Sequence, residues 1–293
     1  MEKDGVYRMV TDKVVEMINQ GRIPWHKPWH FSGDAKDSAI NYVTRRPYSM
    51  LNQWVLDESG EYLTFKQIQA LGGKVKKGAK SRFVVFFTQV PYTKTNEKTG
   101  EEVEKTYPLL RYYNVFHIKD TEGIPSKIDA VETPVIEAPM DAEADAAIDL
   151  YVKSQPTLTF QNDKPSSQAY YSPSKDKVVV PMRSQFDEMA EYYSTAFHEL
   201  THSTLIESRC NRTKEKAGVS MFGSKNYSRE ELVAEMGAAM LCSNFGIDTE
   251  KAFRNSVAYL QSWASHLKED VKAIVFAAGK AEKAARYILG ERN

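Results

Sequence analysis

Apolar residues recur at helical spacing near the start of the chain. Val6, Met9, Val10, Val14, Met17 and Ile18 line one face of a helix expected over residues 4–19. The stretch Pro24-Trp25-His26-Lys27-Pro28-Trp29-His30 cannot extend it, because proline lacks the amide hydrogen that a helix interior requires. Thr64 followed by Gln67 forms a capping-box pattern for a short helix that stops at Gly72-Gly73. Two runs rich in β-branched and aromatic residues, RFVVFFTQV at 82–90 and LLRYYNVFHI at 109–118, read as partner strands. The polar segment 91–107 between them is expected to be a long connection. Residues 1–124 therefore read as a small α+β domain.

Residues 125–145 break the pattern, with three prolines, an acidic excess and little periodicity, which is the composition of a linker. A helix is expected to start near Asp141. Short strand candidates follow at 157–161, 169–172 and 177–180, and then helical patterns over 186–206, 228–245, 249–267 and 271–289. Residues 146–293 thus form a second domain with a mostly helical C-terminus. The expected class is α+β throughout.

Composition narrows the function classes. The chain has 293 residues, 42% of them hydrophobic and 27% charged, a balance suited to two globular domains. No apolar run reaches the roughly 18–20 residues needed to cross a bilayer, so no membrane partner is expected. The N-terminus lacks the apolar centre of a secretory leader. Two cysteines, Cys210 and Cys242, are too few for a disulfide scaffold and have no CxxC partner for metal binding. A cytoplasmic protein is the expectation. Net charge is zero, with most of the basic excess in residues 1–124.

The clearest chemistry lies in the segment His198-Glu199-Leu200-Thr201-His202, an HExxH motif. Residues four apart share a helix face, so the imidazoles of His198 and His202 can converge on one ion. Glu199 follows the first histidine and is placed to act as a base on the water that the metal makes acidic. A few strands followed by such a helix is the layout of a zincin. Zinc (Zn2+) is the expected ion, and it requires a third protein ligand with the fourth position left for water.

Ser228-Arg229-Glu230-Glu231-Leu232-Val233-Ala234-Glu235 supplies candidates. The pattern resembles that of gluzincin peptidases, in which the first carboxylate binds zinc and the second orients a ligand histidine. That resemblance implies Glu231 on the metal and Glu235 behind it. The alternative is a capping box between Ser228 and Glu231, which would leave Glu235 as the ligand. Tyr227, Arg229 and His266 are candidate oxyanion donors with nothing to choose among them.

In the first half, aromatic and basic residues alternate. Trp25, Trp29, Tyr48 and Trp54 are candidates for stacking on unpaired bases, and Lys74, Lys76, Lys77, Lys80 and Arg82 for a phosphate track. The bland alternative is that the tryptophans plug a small core and that the lysines decorate a turn.

The segments PWHKPW at 24–29, Asn41, Arg46-Pro47-Tyr48, TFKQ at 64–67, GGKVKKG at 72–78, NVFH at 114–117, HELTH at 198–202 and EELVAE at 230–235 occur in an order that resembles the ArdC-type antirestriction proteins. The resemblance implies an N-terminal domain that binds single-stranded DNA, joined to a zincin-like metallopeptidase domain with a protein substrate. It also implies a role in protecting incoming plasmid DNA from host restriction. The charged stretch 93–107 and the acidic linker depart from the family pattern.

Overall fold

The computed structural model describes residues 4–22, 24–26, 38–95, 102–128, 140–212, 225–247 and 257–291. The first helix, α1 (Gly5–Asn19), buries Val10, Val14, Val15, Met17 and Ile18 as its apolar spacing predicts. Strand β1 (Ala39–Asn41) leads to α2 (Met50–Leu56), all of whose residues are buried. Next come β2 (Gly60–Thr64) and α3 (Phe65–Ala70), and α3 opens with the capping box expected between Thr64 and Gln67. A two-residue strand, β3 (Lys74–Val75), precedes the long hairpin of β4 (Arg82–Thr95) and β5 (Glu102–His117). β6 (Thr121–Glu122) then pairs with β3.

The main sheet has the order β1-β2-β5-β4, with β1 parallel to β2 and the other pairs antiparallel. The β4–β5 ladder is longer than the sequence suggests. It runs on from Gln89↔Pro108 to Thr95↔Glu102, through residues expected to be a connection. Their Thr, Tyr and Val content satisfies strand preference, while their polarity reflects a ribbon exposed on both faces.

The second half begins with α4 (Met140–Ser154), inside the stretch expected as linker. Residues 129–139 lie outside the described residues. A second sheet has the order β7 (Thr159–Gln161), β9 (Lys177–Val179), β8 (Tyr170–Ser172). Four helices follow: α5 (Met189–Ser203), α6 (Lys225–Asn244), α7 (Val257–Glu269) and α8 (Ala273–Ile288). Among the described residues, no helix is long and apolar enough to cross a membrane.

One hydrophobic cluster spans both halves. Val10, Trp25, Trp54, Val85 and Leu110 from the first belong to the same core as Tyr193, Phe197, Met236 and Ala278 from the second. α1 packs on α7, and α6 packs on both α5 and α8. The buried side of α8 is mostly alanine, Ala277, Ala278, Ala281, Ala284 and Ala285, which allows close helix approach. Gly237 does the same between α6 and α5. A Cβ there would stand 2.6 Å from Thr201 Cγ2, so only glycine allows this spacing.

Candidate metal centre

α5 carries the motif because its inner face is apolar: Tyr192, Tyr193, Ala196, Phe197 and Leu200 are buried, which fixes the rotation of the helix. His198 and His202 then project together, with their Nε2 atoms 3.2 Å apart. Glu231 reaches across from α6. Its Oε2 is 3.4 Å from His198 Nε2, and its Oε1 is 3.4 Å from His202 Nε2. These residues form a group whose ligand atoms all lie within 4.8 Å of one another.

Each of these separations has the size that ligands of one tetrahedral ion require, with a different Glu231 oxygen facing each histidine. Ligands about 2.1 Å from a central ion stand about 3.4 Å from each other. The electrostatics agree. Burial works against a charged His202, but the Glu230 and Glu231 carboxylates outweigh it and raise the imidazole to about 10. Glu231 is itself opposed by burial, and the two histidines nevertheless hold it well below the usual carboxylate range. The pocket is one that favours a cation.

Because α6 begins at Lys225, Ser228 lies inside the helix and Glu231 is not at a capping position. The capping alternative therefore does not hold, and Glu231 is the carboxylate brought to the histidines. Glu235 stands one turn further along α6 and is half-buried. The carboxylate at the far nitrogen of His202 is Glu230, which the sequence reading passed over. Its Oε1 lies 3.5 Å from His202 Nδ1. Arg212 grips Glu230 through Nη2 at 2.6 Å and Nε at 3.1 Å, and also donates to Thr204 Oγ1 and to the Thr201 carbonyl. Burial works against the Glu230 charge, but His202 and Arg212 outweigh it and keep the carboxyl below its ordinary value. The only sequence signal was an acidic pair, Glu230-Glu231, in which either member could face the histidines.

Glu199 is 8% exposed. Burial raises its carboxyl above the ordinary value, opposed by His198 and His202, and the Tyr171 backbone of β8 also bonds to it. A carboxyl tuned upward in this way is suited to accept and return a proton. Of the candidate oxyanion donors, Arg229 is held by Asp270 at 2.7 Å and His266 packs on the Trp263 ring. The Tyr227 side chain lies outside the described residues.

The candidates for DNA contact are scattered. Trp25 and Trp54 are 1% and 0% exposed, their rings 6.1 Å apart inside the shared core. The stacking role expected of them does not fit this fold, because no base reaches either ring without unpacking that core. Trp29 lies outside the described residues. Tyr48 is half-buried against Tyr62 and shares a hydrogen bond with Asn41. Arg82 is bound to Glu58 and to the Tyr62 hydroxyl, so its charge is already neutralised. Lys74, Lys77 and Lys80 are exposed on and after β3, and so is Lys76, whose Nζ donates to the Lys119 carbonyl at 2.7 Å.

Comparison with known proteins accords with this geometry. Residues 4–116 match the N-terminal domain of anti-restriction factor ArdC, and residues 152–280 match a zincin-like metallopeptidase family. An uncharacterized protein, y4eC, of Sinorhizobium fredii is 28% identical over 98% of this chain and 92% of its own length. A DNA primase TraC of Escherichia coli is 28% identical over 98% of this chain, which spans 27% of that longer protein. The metal-free crystal structure of the antirestriction ArdC protein from plasmid R388 is 31% identical, covers 97% of each chain and gives a TM-score of 0.68. A Mn(II)-bound structure of the same protein gives 0.67 at 29% identity, again over 97% of each chain. With both regions matched in order and a solved relative aligned end to end, the chain belongs to the ArdC antirestriction family.

Proposed function

We propose that this protein binds single-stranded DNA through its N-terminal region and carries a zinc peptidase centre at His198, His202 and Glu231, acting in the cytoplasm to protect incoming DNA from restriction. The observation that carries the catalytic part is the convergence of His198, His202 and Glu231 at separations of 3.2–3.4 Å, with the buried Glu199 beside them. Two imidazoles and one carboxylate suit zinc, and manganese, which favours oxygen ligands, is the competing occupant.

Zinc bound there would supply Lewis acidity, lowering the pKa of an attacking water toward about 7. Glu199 takes the proton of that water and returns it to the departing amine of a peptide substrate. Glu230 steadies His202 from behind, and Glu235 is assigned to orient a ligand histidine. Support for the DNA-binding part comes from the N-terminal family match, the relationship to a DNA primase and the exposed Lys74, Lys77 and Lys80.

The test is Glu199→Gln in the full chain, with bound zinc, peptide hydrolysis and protection of transferred DNA measured together. Retained zinc with hydrolysis reduced by about 100-fold or more fits the assigned base. Unchanged hydrolysis would remove Glu199 from that role. Intact protection in a hydrolysis-dead variant would separate peptidase activity from antirestriction.

A further inference from the structure

Side chains alternate between the faces of a strand, so the β4–β5 register sorts the hairpin into two rows. The inner row packs on the core through Val85 and Leu110. At the base of the outer row, Val84 and Val115 join a small cluster with Tyr62 and Leu56. Beyond that cluster the outer row is open to solvent. Tyr113, Tyr107, Tyr92 and Leu109 are 54%, 45%, 42% and 36% exposed.

The rings are organised in pairs. Phe86 and Tyr113 stack face to face, with centroids 4.7 Å apart and planes 2° from parallel, so Tyr113 presents a ring backed by a second ring. Tyr92 and Tyr107 form another pair at 5.8 Å. Six residues of strand separate the two pairs, roughly 20 Å. Arg111, exposed and directly opposite Phe86, lies between them beside Leu109.

Over Arg82–Tyr92 and 105–115 neither row carries an acidic residue, and Glu104, just beyond, falls on the other row opposite Thr93. A row of ring faces with a guanidinium between them and no carboxylate is complementary to a chain of flat bases joined by phosphates. Duplex DNA hides its base faces, so the complement is a single strand.

We infer that the outer face of the β4–β5 ribbon is the single-stranded DNA-binding surface, with Tyr113 and Tyr107 as stacking platforms and Arg111 as a phosphate contact. This inference rests on the single-strand reading above and assigns it a surface. It also moves the contacts away from the buried Trp25 and Trp54.

Fluorescence anisotropy of the full chain with a labelled oligothymidylate of about 16 nucleotides tests it. Tyr113→Ala and Tyr107→Ala should each weaken binding by roughly 5- to 150-fold, the effect of losing one stacked base. Tyr113→Phe should bind like wild type. Arg111→Gln should reduce the slope of log affinity against log salt by about 0.7. Because these side chains are exposed, circular dichroism and metal content should stay unchanged.

If wild type binds the oligonucleotide and Tyr113→Ala, Tyr107→Ala and Arg111→Gln bind equally well, this surface is wrong while the single-strand reading stands. If wild type does not bind, both fail. Photocross-linking of an iodouracil oligonucleotide to wild type gives an independent arm. Adducts at Tyr107 or Tyr113 support the surface, and adducts confined to other elements overturn it.

Discussion

Glu230 and Glu231, adjacent in the chain, approach opposite nitrogens of one imidazole: Glu230 lies 3.5 Å from His202 Nδ1 and Glu231 lies 3.4 Å from Nε2. The ring is thus held from both sides by one turn of α6. A carboxylate behind a ligand histidine fixes the tautomer that offers Nε2 to a metal and increases its basicity. Arg212 keeps that carboxylate charged and aimed.

Glu230→Gln should therefore weaken metal binding by about 10- to 100-fold without abolishing it. Glu231→Ala, which removes a proposed ligand, should cost far more. Competition with a chromogenic chelator measures both. Equal losses in the two variants would deny the distinction between ligand and support.

Gly237→Ala should destabilise the protein by about 1–3 kcal/mol, since the added Cβ meets Thr201 Cγ2 at 2.6 Å and Oγ1 at 2.7 Å. Thr201 lies within α5 between His198 and His202, so forcing α6 away should also carry Glu231 off the histidines. Thr201→Ala in the same chain should restore part of both losses, as read by urea denaturation and metal titration. Absence of any rescue would place the strain elsewhere.

Part of this was legible in the sequence because periodicity carried it. HExxH spacing gave the two histidines, and the apolar spacing of α1 and the Thr64–Gln67 box gave their helices within a residue or so. What escaped is what depends on contacts between distant segments. Arg212 reaches Glu230 across 18 positions, and no local pattern ties them. Trp25 sits among prolines and basic residues that suggest exposure, and Trp54 follows Asn52-Gln53, yet they close a core completed from α7 by Trp263, 6.3 Å from Trp25. The outer half of the ribbon was hidden by its polarity, because a strand exposed on both faces carries no apolar alternation and looks like a loop.

Trp54→Ala should cost about 3–5 kcal/mol of stability, as expected for emptying a large core position. Measured where both forms remain folded, its oligonucleotide affinity should match wild type. A selective loss of DNA binding at full stability would return Trp54 to the interface.

Asp176, at φ 43 in the turn before β9, accepts hydrogen bonds from Thr157, Tyr171 and Arg209, and Arg209 also donates to the Ser203 carbonyl at the end of α5. Burial opposes the Asp176 charge, but these donors outweigh it and hold the carboxyl below its ordinary value. A carboxyl lowered by folding adds stability above its unfolded pKa, near about 3.9, and loses that contribution as pH falls through the folded value. Asp176→Asn, which tolerates the same backbone, should therefore cost about 3 kcal/mol near neutral pH. The gap to wild type should narrow below about pH 4. A gap independent of pH would show that the charge is not what matters.

Because the first and second halves interdigitate in one core, neither has a complete interior of its own. Heat or urea should melt the chain in one cooperative step, with near-ultraviolet tyrosine and tryptophan signals and metal release coinciding. Severing it after residue 124 and separating the halves would bare Trp263, which packs on Trp25, and Phe276, which stacks on Tyr7, rather than liberate a working peptidase. The match to the much longer TraC primases likewise covers both regions together, 98% of this chain, as expected of a sequence whose two halves share an interior.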